Sequence, residues 1–121
     1  MSAGSFRIEI PSVPEHLGTA RAFVAAVAHE VEASEETVAD LKLATSEACT
    51  IALSSGEPIR LRVFPTEAAL EVRVDLHRAS HGTEDDEDVE RREVIASLFP
   101  DAAILTEPDT GAVLRFSAPL R

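Results

Sequence analysis

Hydrophobic and polar residues alternate in three short segments of the chain, which is the pattern of a β-strand with one buried face, and two later segments of mostly apolar residues are also predicted to be strands. These segments cover residues 5–10, 59–63, 70–74, 102–105 and 112–116. A turn at Pro65-Thr66-Glu67 lies between the second and third segments, and Glu107-Pro108-Asp109-Thr110-Gly111 connects the last two. Each of these pairs is therefore predicted to form an antiparallel hairpin.

Apolar residues recur at helical spacing elsewhere, which predicts three helices, over residues 12–32, 34–53 and 86–99. The first is expected to open with a capping box, in which Ser12 is the N-cap and Glu15 reaches back. Ser34 is the predicted N-cap of the second helix. Residues 77–85 show no periodicity and are predicted to form a loop.

The second helix has two distinct faces at 100° per residue. One predicted apolar face consists of Val38, Leu41, Thr45, Ala48, Cys49 and Ala52. On the opposite side, Leu43, Glu47 and Ile51 follow one another at i, i+4 and i+8. Cys49 is expected to be a small core residue.

The predicted elements follow the order β-α-α-β-β-α-β-β, with no internal repeat and no linker. This order predicts a single domain over residues 1–121. The expected fold class is α+β: a two-layer α/β sandwich, with a mixed, mostly antiparallel sheet and its helices on one face.

The formal net charge of −11 is concentrated in two segments. Residues 84–93 and residues 30–47 each carry a net charge of −5, and the remainder sums to −1. A nucleic-acid partner is not expected, because such binding needs a basic surface. The acidic segments are read either as solvated helix faces or as surfaces that steer a basic partner.

Other whole classes of protein are excluded by simple counts. The apolar runs fall far short of the roughly 20 residues that span a bilayer, so no membrane association is expected. A single cysteine leaves no internal disulfide framework. No secretory signal follows Met1, so a cytoplasmic location is predicted.

The segment Asp40-Leu41-Lys42-Leu43-Ala44-Thr45-Ser46-Glu47-Ala48-Cys49-Thr50 resembles the N-box helix of bacterial anti-sigma-factor serine kinases. These belong to the GHKL superfamily of ATPases, together with the histidine kinases, and the predicted order of elements resembles that fold over essentially the whole chain. The resemblance implies that Glu47 is the catalytic base. It places Ile51 where the family has an Asn that coordinates Mg²⁺ on the ATP phosphates, and a hydrocarbon side chain offers Mg²⁺ no oxygen.

The other nucleotide motifs of the family are matched only in part. Asp75 takes the position of the Asp that reads adenine, but no glycine follows it until Gly82. Residues 89–94, at the place of the phosphate-binding glycine turn, contain no glycine. Gly111 resembles the glycine that opens the family's last strand, which is a structural feature. ATP and Mg²⁺ are therefore implied by resemblance only, and the expected outcome is no bound cofactor.

Each candidate residue also has a plainer interpretation. Glu47 is alternatively a surface carboxylate on an inherited helix, and Asp75 a cap at a strand end. Arg91 and Arg92 either touch phosphate or pair with Glu87 and Asp88 on their own helix. For His77 and His81, with Asp75 and Glu84 nearby, a metal site is weighed against two loop histidines, and no metal is expected.

The sequence thus favours an anti-sigma-factor-like regulatory protein whose partners are a sigma factor and/or a STAS anti-anti-sigma protein. Whether it is an enzyme stays open. The alternative is an active serine kinase of the same fold that phosphorylates a STAS partner with ATP, and a third possibility is a scaffold domain without a sigma partner. The resemblance also implies a homodimer.

Overall fold

The computed structural model describes residues 4–77 and 85–120. Its elements follow the predicted order. The strands are β1 (Phe6–Ile10), β2 (Ile59–Pro65), β3 (Ala69–Asp75), β4 (Ala103–Glu107) and β5 (Gly111–Pro119). The helices are α1 (Leu17–Glu30), α2 (Glu35–Leu53) and α3 (Asp86–Leu98). The predicted α+β class is confirmed.

The five described strands form one sheet in the order β1-β2-β3-β5-β4. Both predicted hairpins are present, and β5 joins them by pairing with β3. The sequence predicted a mixed, mostly antiparallel sheet; among the described strands every neighbouring pair is antiparallel. The short strands β1 and β4 are left at the two edges.

The helices cover one face of this sheet, as predicted. The inward side chains of the three central strands are fully buried, among them Leu61, Val72 and Phe116. Small residues such as Ala28 and Ala48, also fully buried, lie on α1 and α2 and let the two helices pack closely. The outward positions of β2 and β3 carry Arg, Glu, Asp and Phe side chains, so the second face of the sheet is polar.

The first helix does not begin with the predicted capping box, so that prediction is wrong. The Ser12 hydroxyl donates instead to the main-chain oxygen of Leu53, at 3.2 Å, and so ties this loop to the end of α2. A short 3-10 turn, Pro14–His16, precedes α1. The predicted cap of α2 is confirmed, because the Ser34 hydroxyl accepts from the Thr37 N–H at 3.1 Å.

Helix α3 packs against α2 with few buried side chains of its own. Asp85 caps it by accepting from the Asp88 N–H at 2.8 Å, and acids fill its first turn, where the helix dipole favours them. Ile95 is its one buried residue. Directly after the helix, Phe99 stacks on Phe116 of β5 with ring centroids 5.4 Å apart. No helix in the described ranges combines the length and apolarity needed to cross a membrane.

Candidate functional site

Glu47 lies on the side of α2 that faces α3. Its side chain is 26% exposed, and the Nε of Arg91 lies 3.5 Å from its Oε1. Arg91 is also within 3.8 Å of a Glu87 oxygen and within 3.9 Å of an Asp88 oxygen. The predicted pairing of Arg91 with Glu87 and Asp88 is therefore present, and the same guanidinium also reaches across to α2. Beside them is an open cavity of about 290 Å³, lined by Glu47, Glu87, Glu90, Arg91 and Val94.

Ile51 follows Glu47 by one helical turn and is only 8% exposed. The second face of α2 therefore changes character along its length, from the exposed Leu43 through the half-buried Glu47 to this buried hydrocarbon. The position where the resemblance expects an amide is thus part of the core. Within the described residues, no group of three or more His, Cys, Asp or Glu side chains is placed to hold a metal ion.

Asp75 ends β3 on the face of the sheet away from the helices. It is 1% exposed, because the Arg62 Nη2 donates to its Oδ1 at 3.0 Å and neighbouring strands enclose it. Glu47 belongs to the helix layer on the other side of the sheet. The structure therefore does not bring Glu47 and Asp75 together into one pocket.

Asp75 belongs to a network of charged side chains on the open face. Arg62 donates both to Asp75 and to Glu107, at 3.0 Å and 2.9 Å. Glu107 also accepts from Arg73 at 2.7 Å and from the Thr110 hydroxyl at 3.0 Å. Burial alone raises the pKa of Glu107, but hydrogen bonds from Arg62, Thr110 and Arg73 outweigh it and the pKa is lowered. The Arg73 guanidinium stacks over the Phe64 ring, 5.3 Å from its centroid.

The sequence indicates only part of this network. Alternation places Arg62, Glu71 and Arg73 on the open face as plausible cross-strand partners, and Arg73 does pair with Glu71, but the sequence puts Glu107 in a turn. Its role follows from the place of β4 beside β5, which brings a distant hairpin to the same sheet face. The sequence signal for this network is that the arginines and the glutamate of β2 and β3 occupy outward positions of the alternating pattern.

The contacts of the remaining candidate residues indicate structural roles. Gly111 has φ +82° and opens β5 opposite Glu107, and a side chain would be strained in that left-handed conformation. The Nε2 of His77 lies 2.9 Å from the Pro58 carbonyl oxygen, to which it donates when protonated. Cys49 is fully buried, as predicted for a core residue, and burial raises its pKa to about 12. His81, Gly82 and Glu84 lie outside the described residues.

Comparison with protein families identifies this architecture. The model of the histidine kinase-like ATPase domain matches residues 10–111, which is most of the chain and includes the three described helices and strands β2, β3 and β4. The chain belongs to this family. A comparison with curated proteins gives no match.

Proposed function

We propose that the chain is an anti-sigma-factor-like regulatory domain that acts by binding protein partners and turns over little or no ATP. The contact between Arg91 and Glu47 carries this proposal. A catalytic base must be free to reach a reacting proton, whereas Glu47 has a guanidinium at 3.5 Å. Arg91 holds α3 against the helix face where a nucleotide would have to lie.

The neighbouring residues do not fit Mg²⁺-ATP. Magnesium needs oxygen ligands in a near-octahedral arrangement, and Ile51, buried one turn from Glu47, offers none. The first turn of α3 carries Asp86, Glu87 and Asp88, which repel a triphosphate. Asp75 lies on the far side of the sheet in an ion pair with Arg62.

The negative charge of the helix layer favours a partner with a basic surface. The acids of α2 and α3 lie on neighbouring, packed helices, so their fields add over one side of the molecule. A sigma factor with a basic DNA-binding surface has the complementary charge, and steering by this field would raise the association rate. A STAS protein is proposed as the competing partner. The proposed homodimer and cytoplasmic location rest on the family resemblance and on the sequence respectively.

A serine kinase of the same fold is the second candidate, and one observation favours it: Glu47 keeps the position of the family's base and remains partly open to solvent. Calorimetric titration with ATP and Mg²⁺ separates the two candidates. We expect no binding tighter than about 100 µM, or about −5.5 kcal/mol. Tighter binding, together with phosphoryl transfer to a STAS protein that Glu47→Gln abolishes, would establish the kinase instead.

The binding role is tested separately with a sigma factor from the source cell. We expect Asp85→Asn, Asp86→Asn and Asp88→Asn together to lower the association rate at low salt while leaving the helix cap intact, because Asn also caps helices. The matched control neutralises three exposed acids elsewhere: Glu15→Gln, Glu57→Gln and Asp109→Asn. Equal rates for the two variants would remove the steering role, and failure to capture any sigma factor or STAS protein would favour a scaffold domain.

A further inference from the structure

Strand β1 lies at one edge of the sheet, with β2 on one side and no described strand on the other. The main-chain groups on the free side of an edge strand can pair with another strand. Proteins protect such edges with short strands and with charged side chains that repel a second copy. The five residues of β1 include two charged ones of opposite sign, Arg7 and Glu9. Whether these charges repel or attract a second β1 therefore depends on the register in which the two strands meet.

The apolar face of β1 is incompletely covered by the helix layer. Phe6, Ile8 and Ile10 all point toward the helices, because the β2 residues opposite them in the register are fully buried. Exposure nevertheless rises along the strand, from the buried Ile10 through the half-buried Ile8 to Phe6, which is 38% exposed. The end of β1 that begins with Phe6 therefore has apolar surface left to bury.

The charged residues of β1 are not fully neutralised within the described part of the chain. Arg7 is exposed and forms no ion pair there, and the register places it directly opposite Arg62 of β2, where like charges are unfavourable. Glu9 pairs with Arg60 at 3.0 Å, yet 53% of its side chain remains exposed. A carboxylate on the free side of β1 would thus stabilise Arg7, and Glu9 of a second copy can supply one.

The alternation of side chains restricts how two antiparallel copies of β1 can pair with their apolar faces on the same side. The pairing must be centred on a residue, so that inward side chains face inward ones. A register centred on Arg7 brings two guanidiniums together, and one centred on Glu9 brings two carboxylates together, which is destabilising. The register centred on Ile8 places Arg7 opposite Glu9 on both sides of the centre. It also pairs every residue of the strand.

We propose that β1 pairs with β1 of a second copy of this chain, antiparallel about a twofold axis at Ile8, so that the two sheets become one. Arg7 of each copy then faces Glu9 of the other, and Phe6 of each copy lies beside Ile10 of the other. Opposite residues of an antiparallel pair have Cβ atoms about 4.5–5.5 Å apart, which suits both contacts. This interface rests on the homodimer of the proposed function and is independent of the sigma-factor role.

The distribution of charge favours this edge for two copies that each carry a net charge of −11. Strand β1 and helix α1, which packs on it, each have one basic and one acidic residue, Arg7 and Glu9 on the strand and Arg21 and Glu30 on the helix. The acids of α2 and α3 lie farther along the sheet. The other edge strand, β4, has Glu107 as its one charged residue, so pairing two copies through β4 forms no ion pair between the strands.

Sedimentation velocity with two charge-reversal variants tests the proposal. We expect the native protein to dimerise reversibly below about 100 µM. Arg7→Glu and Glu9→Arg should each raise the dissociation constant roughly tenfold or more, because each replaces both ion pairs of the interface by like-charge contacts. A mixture of the two variants should dimerise again, since acidic positions of one copy then face basic positions of the other. The matched control, Lys42→Glu, reverses an exposed charge on α2 and should leave the dimer unchanged.

Disulfide trapping tests the register. Cysteines at directly opposite positions of an antiparallel pair come within reach of a disulfide, and the native Cys49 is fully buried and does not compete. Ile8→Cys should crosslink two copies on mild oxidation. Ile104→Cys, at an exposed position of the other edge strand, should not. Circular dichroism of each variant establishes that the sheet is intact.

The possible outcomes separate this interface from the rest of the proposed function. A native protein that stays monomeric at about 100 µM would overturn both the homodimer and the interface, and would leave the edge to a strand of a different protein. A dimer that persists in both charge variants, or that crosslinks through Ile104→Cys, would overturn the β1 interface alone. Failure of the mixture to restore the dimer would refute the register. Failure to capture a sigma factor, with the dimer intact, would bear only on the regulatory role.

Discussion

Replacing Asp75 by Asn tests whether this carboxylate stabilises the fold or instead serves to bind a ligand. The side chain is 1% exposed, and its Oδ1 accepts from Arg62 at 3.0 Å. Asn has nearly the same size, so the change removes the charge without leaving a cavity. If the ion pair holds the outer face of the sheet together, the variant must be less stable.

The expected loss is about 2–3 kcal/mol. Breaking a buried ion pair costs about 3–5 kcal/mol when the partner is left uncompensated. Arg62 keeps a counter-charge in the variant, because Glu107 remains 2.9 Å away and the Arg62 side chain is 21% exposed to solvent. A hydrogen bond to a charged group contributes about 1.5–3 kcal/mol, which sets the lower part of the range. For a domain of this size the melting temperature should fall by roughly 8–12 °C.

Urea unfolding followed by circular dichroism measures this loss directly. The matched control is Glu9→Gln, which removes a carboxylate from the same face but from an exposed pair with Arg60, with side chains 53% and 50% exposed. Such a pair is worth about 0–1 kcal/mol. If Asp75→Asn were no more destabilising than Glu9→Gln, the structural role would be refuted, and a role in binding a ligand would regain support.

Two further variants probe a buried hydroxyl and a partly buried carboxylate. Thr45→Val should stabilise the protein by about 1 kcal/mol in the same urea assay, because the Thr45 hydroxyl is fully buried with no hydrogen-bond partner in the described structure. A loss of stability would mean that this hydroxyl does form a hydrogen bond in solution, which contradicts the prediction. The second variant concerns Glu107, whose pKa is lowered by its arginine and threonine donors despite burial. Its ionised form stabilises the fold at pH values above the unfolded pKa of about 4.3. This contribution is lost as the pH falls through the lower pKa of the folded state. The stability difference between the native protein and Glu107→Gln should therefore shrink as pH falls from about 5 to 3, and a difference independent of pH would contradict the assigned charge network.

The order of elements and the apolar face of α2 could be predicted because both depend on local periodicity. All six residues predicted for that face are buried. Periodicity says nothing of which distant group satisfies a polar side chain, and this is why the Ser12 cap was wrong. A capping box and a bond to Leu53 use the same hydroxyl, and only the packing of α1 against α2 decides between them.

The candidate site was harder to predict for the same reason. Glu47 and Ile51 were recognised on one side of α2, but the sequence could not show that Arg91 reaches the first or that the core covers the second. The outward parity of Arg62 and Arg73 was visible, whereas their shared contact with Glu107 depends on strand order and register. Neither is encoded in any single segment.

The packing of α3 has a consequence for local unfolding. This helix buries only Ile95 of its own residues and is held further by the Phe99 ring and by Arg91, whereas β3 lies between two partner strands under a covered face. Opening α3 therefore exposes little apolar surface and costs much less than global unfolding. Its amide protons should exchange with solvent well before those of β3, so the helix with the largest number of acidic residues is also the one that can detach while the sheet stays folded.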